Sequence, residues 1–272
     1  MNIENVQDKK IIMEILDKLN ISYITHKYFN DGVSSRVILL NDKYLIKQNT
    51  KEALNAEVEF LKLNKSDMFQ EIIYVDNDYR FVVYKFIVGN VMKRVKDVDN
   101  VVQKLIDITS NYALYKEDGY GYLDEKVHTW RKFLEDEIVH SSSNVKEYIP
   151  DNTLVFECAK NLEKYKFEKK LLHGDFGTHN FIEKDGRFIG VIDPMTVSGD
   201  PLYDLLFAIV SNVDIFSKFT LEKINSLTNE PNEKVKMMLT IVLYSRISRC
   251  LKYHPKDIEI YMNFWNKYIV NI

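Results

Sequence analysis

Polar side chains able to bind a metal ion or accept a proton are concentrated between residues 171 and 205. Asp175 and Asp193 each follow a short apolar run, and Asn180 lies between them. Lys184-Asp185-Gly186 is a strong signal for a β-hairpin turn, because Asp-Gly favours the positive φ angles that such turns require. A hairpin here would return Asp193 to the neighbourhood of Asp175 and Asn180.

The chemistry open to these three side chains is that of phosphoryl transfer. Oxygen ligands suit Mg²⁺, which takes one or two carboxylates and fills its other positions with water and substrate phosphates. A carboxylate that holds no metal can instead accept the proton of an alcohol. Phosphoryl transfer needs little more than a metal ion, a cradle for the phosphates and a base that orients the nucleophile.

The pattern resembles the active site of the aminoglycoside phosphotransferase family, small-molecule kinases that share the protein-kinase fold. The resemblance is carried by His173-Gly174-Asp175 with Asn180, by Ile192-Asp193-Pro194, and by Gly199-Asp200-Pro201-Leu202-Tyr203-Asp204-Leu205. The interval from Asp175 to Asn180 is that of the kinase catalytic loop. The resemblance implies that Asp175 is the catalytic base, that Asn180 and Asp193 bind Mg²⁺, and that ATP or GTP is the phosphoryl donor.

Other residues of these motifs are interpreted as support for the site. His173 is expected to bond to backbone and to organise the loop, and the resemblance makes Asp204 a brace for the same loop. Asp200 precedes a helix predicted to start near Pro201. Because aspartate favours helix N-termini, a capping role is the alternative to a functional one for both aspartates.

The first 87 residues predict a small lobe built on an antiparallel sheet. Apolar residues at helical spacing predict helices over residues 5–19 and 52–63. Strands are predicted from β-branched and aromatic runs, over residues 21–29, 37–40, 44–47, 72–75 and 81–87. The loop Gly32-Val33-Ser34-Ser35-Arg36-Val37 resembles the phosphate-covering loop of the family. Ser34 and Ser35 would then lie over the phosphates, whereas a plain hairpin turn is the alternative.

Lys47 lies on the third predicted strand, where kinases place the lysine that holds the nucleotide phosphates. At 100° per residue, the next helix puts Glu57 at the edge of its apolar face and Glu59 nearly opposite. Glu57 is therefore expected to pair with Lys47. In the kinase layout, a hinge binds the purine through its backbone, here formed by Lys85, Phe86 and Ile87.

The remainder of the chain is predicted to be mostly helical. Periodic apolar residues predict helices over residues 98–115, 130–138, 152–165, 202–210, 235–251 and 258–269. The expected fold is therefore α+β and bilobal, like that of protein kinases. Residues 1–87 form a nucleotide-binding lobe with a five-stranded antiparallel sheet plus helix, and residues 88–272 form a helical lobe with the catalytic and acceptor-binding site.

Composition excludes several other classes of protein. The net charge is −3, and 28% of residues are charged, without the basic stripe that a nucleic-acid partner requires. Two cysteines without C-x-x-C spacing point to a reducing compartment and against a disulfide scaffold or zinc site. No stretch suits a signal peptide or a membrane span. A soluble, cytoplasmic protein is expected, and the sequence carries no signal for its oligomeric state.

The acceptor is expected to be a small hydroxyl-bearing molecule, and the slightly acidic chain is compatible with a cationic one. An aminoglycoside would need carboxylates for its ammonium groups. The candidate acids are Glu135, Asp136, Glu137 and Asp200, and we take Glu135, Asp136 and Asp200 as acceptor-binding. Consecutive acids on a helix cannot all face one pocket, so some of these must face solvent.

The expected function is an ATP- or GTP-dependent phosphotransferase that phosphorylates a hydroxyl group. An aminoglycoside is the first acceptor class, which would make the protein an antibiotic-resistance enzyme. The alternatives are a metabolite kinase of the choline, homoserine, methylthioribose or fructosamine type, and a catalytically silent nucleotide-binding module. A protein kinase is disfavoured, because there is no A-P-E segment and no room for an activation loop after Asp193.

Overall fold

The computed structural model describes residues 5–29 and 35–270. Its first part contains a sheet of five antiparallel strands: β1 (His26–Phe29), β2 (Arg36–Leu40), β3 (Tyr44–Gln48), β4 (Ile72–Val75) and β5 (Val82–Lys85). Their order in the sheet is β1-β2-β3-β5-β4. The third strand therefore lies at the centre of the sheet, with a paired neighbour on each side.

Side chains alternate across this sheet, so its two faces meet different helices. One face is covered by α1 (Val6–Lys18), whose buried isoleucines pack against β2, β3 and β5. The other face lies towards α2 (Lys51–Leu63), which shares a buried cluster with Val82 and Tyr84. Lys47 is paired with Val82 in the ladder and so points to the same face as α2.

The first strand is shorter than the sequence predicts. Residues 21–25 do not join the ladder, because the Asn41 side chain takes their backbone groups instead. Its Oδ1 accepts the N–H groups of Ile24 (2.9 Å) and Thr25 (3.2 Å), and its Nδ2 donates to the Ser22 carbonyl oxygen (2.8 Å). A side-chain bond of this kind leaves no signature in a β-propensity pattern.

Shorter strands lie within, or pair with, the segment that carries Asp175, Asn180 and Asp193. They are β6 (Asn90–Val91), β7 (Gly121–Tyr122), β8 (Lys170–Leu172), β9 (Phe181–Lys184), β10 (Arg187–Val191) and β11 (Val197–Gly199). They form two sheets, in the orders β10-β9-β6 and β7-β11-β8. The predicted hairpin turn is present between β9 and β10, where Asp185 and Gly186 have φ angles of 53° and 76°.

The second part of the chain is mainly helical. Its helices are α3 (Val98–Ser110), α4 (Trp130–Val145), α5 (Thr153–Asn161), α6 (Pro201–Ser211), α7 (Val213–Phe216), α8 (Leu221–Asn225), α9 (Asn232–Tyr253) and α10 (Ile258–Phe264). The long helix α9 packs against α4, α5 and α6. Almost every residue of α6 is buried, and this helix forms the centre of the helical part of the chain.

The helix expected over residues 152–165 is α-helical only to Asn161 and closes with a 3-10 turn, Leu162–Lys164. Two other helices end earlier than predicted and give way to a different structure. The helix expected over residues 98–115 stops at Ser110, because Leu114 and Tyr115 instead pair with the chain around Lys169 and Lys170. The last helix was expected to continue to residue 269, but α10 gives way to a wider π-helical segment, Trp265–Val270. In both regions tertiary contacts override a continuous apolar period.

The architecture confirms the predicted α+β class, in which a five-stranded antiparallel sheet with helices precedes a mostly helical region. Over residues 5–29 and 35–270, none of the helices combines the length and the apolar character needed to cross a bilayer.

Candidate active site

The hairpin of β9 and β10 brings together the three side chains singled out in the sequence. The Ile192 N–H donates to the Asn180 carbonyl oxygen (3.0 Å), which holds Asp193 beside Asn180. Asn180 Nδ2 donates in turn to the carbonyl oxygen (2.9 Å) and to the carboxylate Oδ2 (3.1 Å) of Asp175. Asp175, Asn180 and Asp193 therefore share one small region.

Lys47 reaches the same region from the central strand β3. Its Nζ donates to Glu57 Oε2 (2.7 Å) and also contacts Asp193. Burial alone would lower the pKa of Lys47, but the charges of Glu57 and Asp193 outweigh it and raise that pKa, so the ammonium stays charged. The predicted pairing of Lys47 with Glu57 is present, and Glu59 takes no part in it.

Asp175 lies among several donors. His179 Nε2 donates to its Oδ2 (2.8 Å), and Arg249 Nη1 lies 3.4 Å from its Oδ1. Burial raises the pKa of Asp175, but the hydrogen bond and charge of His179, followed by the charge of Arg249, more than offset this and lower it to about 2. The carboxylate is therefore ionised at neutral pH and can accept a hydrogen bond from a hydroxyl group.

The loop that carries Asp175 is braced from below by buried groups. Asp204 accepts the backbone N–H groups of His173 (2.8 Å) and Gly174 (3.2 Å) and the hydroxyl of Tyr112 (2.9 Å). His173 Nε2 bonds to the carbonyl oxygen of Ile192 (2.9 Å), which ties the loop to the strand before Asp193. Both residues contact backbone as expected.

Gly174 is needed at its position in this loop. Its φ angle is +81°, and an added Cβ would lie 2.5 Å from the Met195 carbonyl oxygen.

Burial lowers the pKa of the fully buried His173 to about 4, so its ring is neutral and Nε2 acts as the donor. The loop is thus fixed by backbone geometry and by an uncharged ring.

The nucleotide-side expectations are only partly accommodated. Of the two serines, Ser34 lies outside the described residues, and Ser35 is half-buried just before β2. In the hinge, the N–H groups of Lys85 and Phe86 already donate to the carbonyl oxygens of Glu71 (2.9 Å) and Lys43 (2.8 Å). Those two N–H groups are therefore not free for a purine, which leaves the Ile87 N–H and the backbone carbonyl oxygens, and the hinge stays a prediction.

The acids expected to bind the acceptor are engaged elsewhere. Glu135 accepts from Arg131 (2.7 Å), and Asp136 contacts Lys132, both within α4. Asp200 is 1% exposed, caps α6 through the Leu202 N–H (3.0 Å) and pairs with the buried Lys234 (2.9 Å). The expectation for Asp200 is therefore corrected, because burial under Lys234 removes it from a ligand. Glu135 and Asp136 hold half-exposed i,i+4 partners, which are weak, and their acceptor role stays a prediction.

Tyr122, His179 and Arg249 lie near Asp175 and were missed as site residues, and Glu137 was named as a candidate acid without being chosen. Glu137 accepts the hydroxyl of Tyr122 (3.3 Å), and its charge, like that of Asp175, raises the pKa of this buried phenol beyond the effect of burial. Glu137 follows the buried Phe133 by four residues, a spacing that indicates the inward face of α4. His179 stands four residues after Asp175, a spacing that the sequence shows. Arg249 lies in a part of α9 that mixes apolar residues with Ser245, Arg246 and Ser248, so the sequence gives no signal for it.

The described residues fit a magnesium site in which the protein supplies few of the ligands. No group of three or more His, Cys, Asp or Glu side chains suited to a metal occurs in the ranges 5–29 and 35–270. The Asp193 carboxylate is 55% exposed, and Asn180 directs its Nδ2 to Asp175, which leaves the amide oxygen for a ligand role. One carboxylate and one amide oxygen suit Mg²⁺, which takes its other ligands from water and phosphates.

Comparison with known proteins places this geometry in a wider group. A family model described as APH, phosphotransferase enzyme family, matches residues 25–225. A search of curated proteins finds no match to the chain.

Solved structures similar to the chain include several aminoglycoside phosphotransferases. The GDP complex of wild-type aminoglycoside 2'-phosphotransferase-IIIa is 16% identical, with a TM-score of 0.60 over 96% of this chain and 98% of that one. The ADP-bound APH(2'')-Ib is 18% identical, with a TM-score of 0.59 over 94% and 97% of the two chains. A thermostable mutant of APH(4)-Ia with AMP-PNP and hygromycin B is 16% identical, with a TM-score of 0.62 over 93% and 96%. At these identities the likeness establishes a shared fold.

Proposed function

Because the chain belongs to the phosphotransferase enzyme family, we propose that it transfers the γ-phosphoryl group of ATP or GTP to a hydroxyl group of a small molecule. The observation that carries this proposal is the meeting of Asp175, Asn180 and Asp193 with the Lys47–Glu57 pair. A base, oxygen ligands for a metal ion and a cation for the phosphates are the parts that phosphoryl transfer requires.

Asp175 acts on the acceptor. Its Oδ1 accepts a hydrogen bond from the reacting hydroxyl and takes the proton as the hydroxyl oxygen bonds to the γ-phosphorus. The bond from that phosphorus to the bridging oxygen breaks, and the nucleoside diphosphate leaves with the electron pair. A carboxylate whose pKa is about 2 is a weak base. This suits a loose transition state, in which orienting the nucleophile matters more than removing its proton early.

Asn180 and Asp193 are the residues proposed to hold Mg²⁺, which, when bound, neutralises charge on the β- and γ-phosphates. Lys47 bridges Glu57 and Asp193 in the structure. With nucleotide bound, Lys47 keeps its bond to Glu57 and turns from Asp193 to the α- and β-phosphates. Asp193 is then released for its role as a ligand.

We assign residues 1–87 to the nucleotide-binding lobe and residues 88–272 to the lobe with the acceptor site. Within the first lobe, Ser35 and its neighbour Ser34, which lies outside the described part of the chain, are proposed to cover the phosphates. The purine is proposed to bind at the hinge through the Ile87 N–H and nearby carbonyl oxygens. Backbone contacts of this kind do not identify the purine, so the donor is established by comparing turnover with ATP and with GTP.

Two acceptor classes follow from the family. An aminoglycoside is supported by the neighbouring structures, which include complexes with kanamycin, hygromycin B and streptomycin. A smaller metabolite is supported by this chain's own geometry, because Glu135, Asp136 and Asp200 are already paired with cations. Glu137 is the acid left near Asp175, and one carboxylate is a poor match for a polycation. The geometry therefore favours the metabolite.

The test is nucleoside diphosphate release with Mg²⁺ and ATP or GTP, across hydroxylated acceptors that include aminoglycosides and choline. We expect release to depend on both metal and acceptor. A catalytically silent module would bind nucleotide tightly and release no diphosphate with any acceptor. That outcome would replace the proposed function with a binding role.

A further inference from the structure

The two carboxylate oxygens of Asp175 have different surroundings. Oδ2 accepts from His179 Nε2 (2.8 Å) and from Asn180 Nδ2 (3.1 Å), so its bonding capacity is largely occupied. Among the described residues, the one hydrogen-bonding side chain near Oδ1 is Arg249, whose Nη1 is 3.4 Å away. An acceptor hydroxyl that approaches Oδ1 must therefore arrive beside Arg249.

Arg249 is far from saturated by this contact. A distance of 3.4 Å is long for an N–H···O bond, and a guanidinium carries five N–H donors. Within the part of the chain that the structure describes, Asp175 is the one carboxylate that pairs with it. Its side chain is 36% exposed, so part of it is accessible to a ligand.

The position of the guanidinium is defined by packing. Its Cζ lies 4.8 Å from the centre of the Phe207 ring, and the side chain rises from α9, which packs against α4 and α6. A guanidinium stacked on an aromatic ring is held in one plane, so less entropy is lost when the fork binds a ligand. Arg249 is thus a preorganised cation at the acceptor side of Asp175.

Glu137 lies in the same region but does not neutralise Arg249. No ion pair joins the two side chains among the described residues, and Glu137 instead accepts the hydroxyl of Tyr122 (3.3 Å). The groups are nevertheless close enough to influence one another: burial lowers the pKa of Arg249, but the neighbouring Tyr203, Asp175 and Glu137 more than offset this and raise it. The Arg249 guanidinium, with donors that no other described carboxylate occupies, therefore stands next to Asp175 Oδ1, and the Glu137 carboxylate lies in the same region.

We propose that Arg249 is an acceptor-binding residue that receives a carboxylate or phosphate group carried by the acceptor close to its reacting hydroxyl. This inference rests on the proposed phosphotransferase function and names its acceptor class. Planar, two-pronged binding of carboxylate and phosphate is the geometry for which a guanidinium fork is suited. The same cation repels an acceptor whose groups near the hydroxyl are ammonium ions, as in a polycationic antibiotic.

The test uses matched three-carbon acceptors that differ in charge. Glycerol is neutral, glycerate carries a carboxylate, glycerol phosphate carries a phosphate, serine carries a carboxylate and an ammonium, and serinol carries an ammonium alone. Kanamycin serves as the polycation. Turnover is measured as ADP release with Mg²⁺-ATP, and binding is measured separately as a thermal shift in the presence of Mg²⁺-ADP.

We expect the anionic acceptors to have the highest kcat/KM, and the better of glycerate and glycerol phosphate identifies the anion. Arg249→Gln should lower kcat/KM for them by about 10- to 100-fold, mainly through KM, with partial rescue by Arg249→Lys. Lys252→Gln removes an exposed charge from the same helix and is the matched control.

Three results would overturn the inference: a preference for serinol or kanamycin, an equal fall in kcat for every acceptor in Arg249→Gln, or anion binding that this variant leaves unchanged. The equal fall would mean that Arg249 only braces Asp175. If no acceptor is phosphorylated but anions bind the native protein more tightly than the variant, the phosphotransferase proposal fails while the anion site stands.

Discussion

The proposed nucleotide side and the proposed acceptor side of the site are built in opposite ways. On the proposed nucleotide side, Lys47 forms ion pairs with both Glu57 and Asp193, so the three charges have their partners within this group. On the acceptor side, Arg249 and Glu137 stand near Asp175 without forming an ion pair with each other. The charges on the proposed nucleotide side are paired in this structure, whereas those on the proposed acceptor side are only partly paired.

The difference teaches where specificity resides. Every kinase of this fold faces the same triphosphate, so a fixed constellation on a sheet and a hairpin serves the donor. Acceptors differ, and the side chains that we propose to meet them, Glu137, Arg249 and Tyr122, come from α4, α9 and β7, which are distant in sequence. Changes on the nucleotide side should therefore affect all acceptors equally, and changes on the acceptor side should discriminate among them.

The largest effect is expected at Asp175, where the two sides meet. Asp175→Asn keeps the shape but removes the base, and kcat should fall by about 10²- to 10⁴-fold with every acceptor. Nucleotide affinity, measured by calorimetry, should stay close to that of the native protein. Asp185→Asn in the exposed hairpin turn is the matched control. Unchanged turnover in Asp175→Asn would refute its assignment as the base.

The next effect is expected at Asp193. If its carboxylate is a metal ligand, Asp193→Ala should abolish the extra thermal stabilisation that Mg²⁺ gives to the nucleotide complex, because the protein keeps only the amide oxygen of Asn180. The measurement is melting temperature with nucleotide, with and without Mg²⁺. A shift of native size in the variant would count against the metal role.

A smaller effect is expected for the glutamate that steers Lys47. Glu57→Gln leaves Lys47 with Asp193 as its charged partner, and kcat/KM for the nucleotide should fall by about 10- to 100-fold. Glu59→Gln, two residues along the same helix, should change it little. The two variants are compared with a single acceptor. Equal behaviour would contradict the role of the Lys47–Glu57 pair.

The smallest effect concerns the brace beneath both sides. The pKa of His173 is about 4 in the folded protein, against 6.5 for an ordinary histidine, so its contribution to stability is complete above pH 6.5 and is lost as the pH falls towards 4. Between pH 6.5 and 5 the loss should approach about 2 kcal/mol. Urea unfolding should show this pH dependence of the free energy of unfolding in the native protein and in the control variant His128→Asn, which replaces an exposed histidine. The variant His173→Asn should not show it.

Sequence reasoning was most successful where one local rule decides the outcome. The Asp-Gly turn and the face of Glu57 follow from backbone angles and from 100° per residue, and both are present in the structure. The order Asp175, Asn180, Asp193 sufficed to expect their meeting, because a hairpin joins them.

It was least successful where distant elements compete for the same group. The side chain of Asn41 displaces part of the first strand, and Lys234 removes Asp200 from the cleft. Glu135 and Asp136 were chosen over Glu137, although the spacing from Phe133 indicates which acid turns inward. No sequence motif marks Arg249 as a site residue, because only the packing of α9 brings its side chain to Asp175.

The central claim is that Asn180 and Asp193 hold one Mg²⁺ while Asp175 faces the terminal phosphate. The most direct measurement is a crystal structure with Mg²⁺ and a non-hydrolysable ATP analogue. We predict the Asn180 amide oxygen and the Asp193 carboxylate at about 2.0–2.1 Å from the ion, Lys47 moved from Asp193 to the phosphates, and Asp175 Oδ1 directed at the γ-phosphate without touching the metal. A metal bound elsewhere, with Lys47 still on Asp193, would contradict the account.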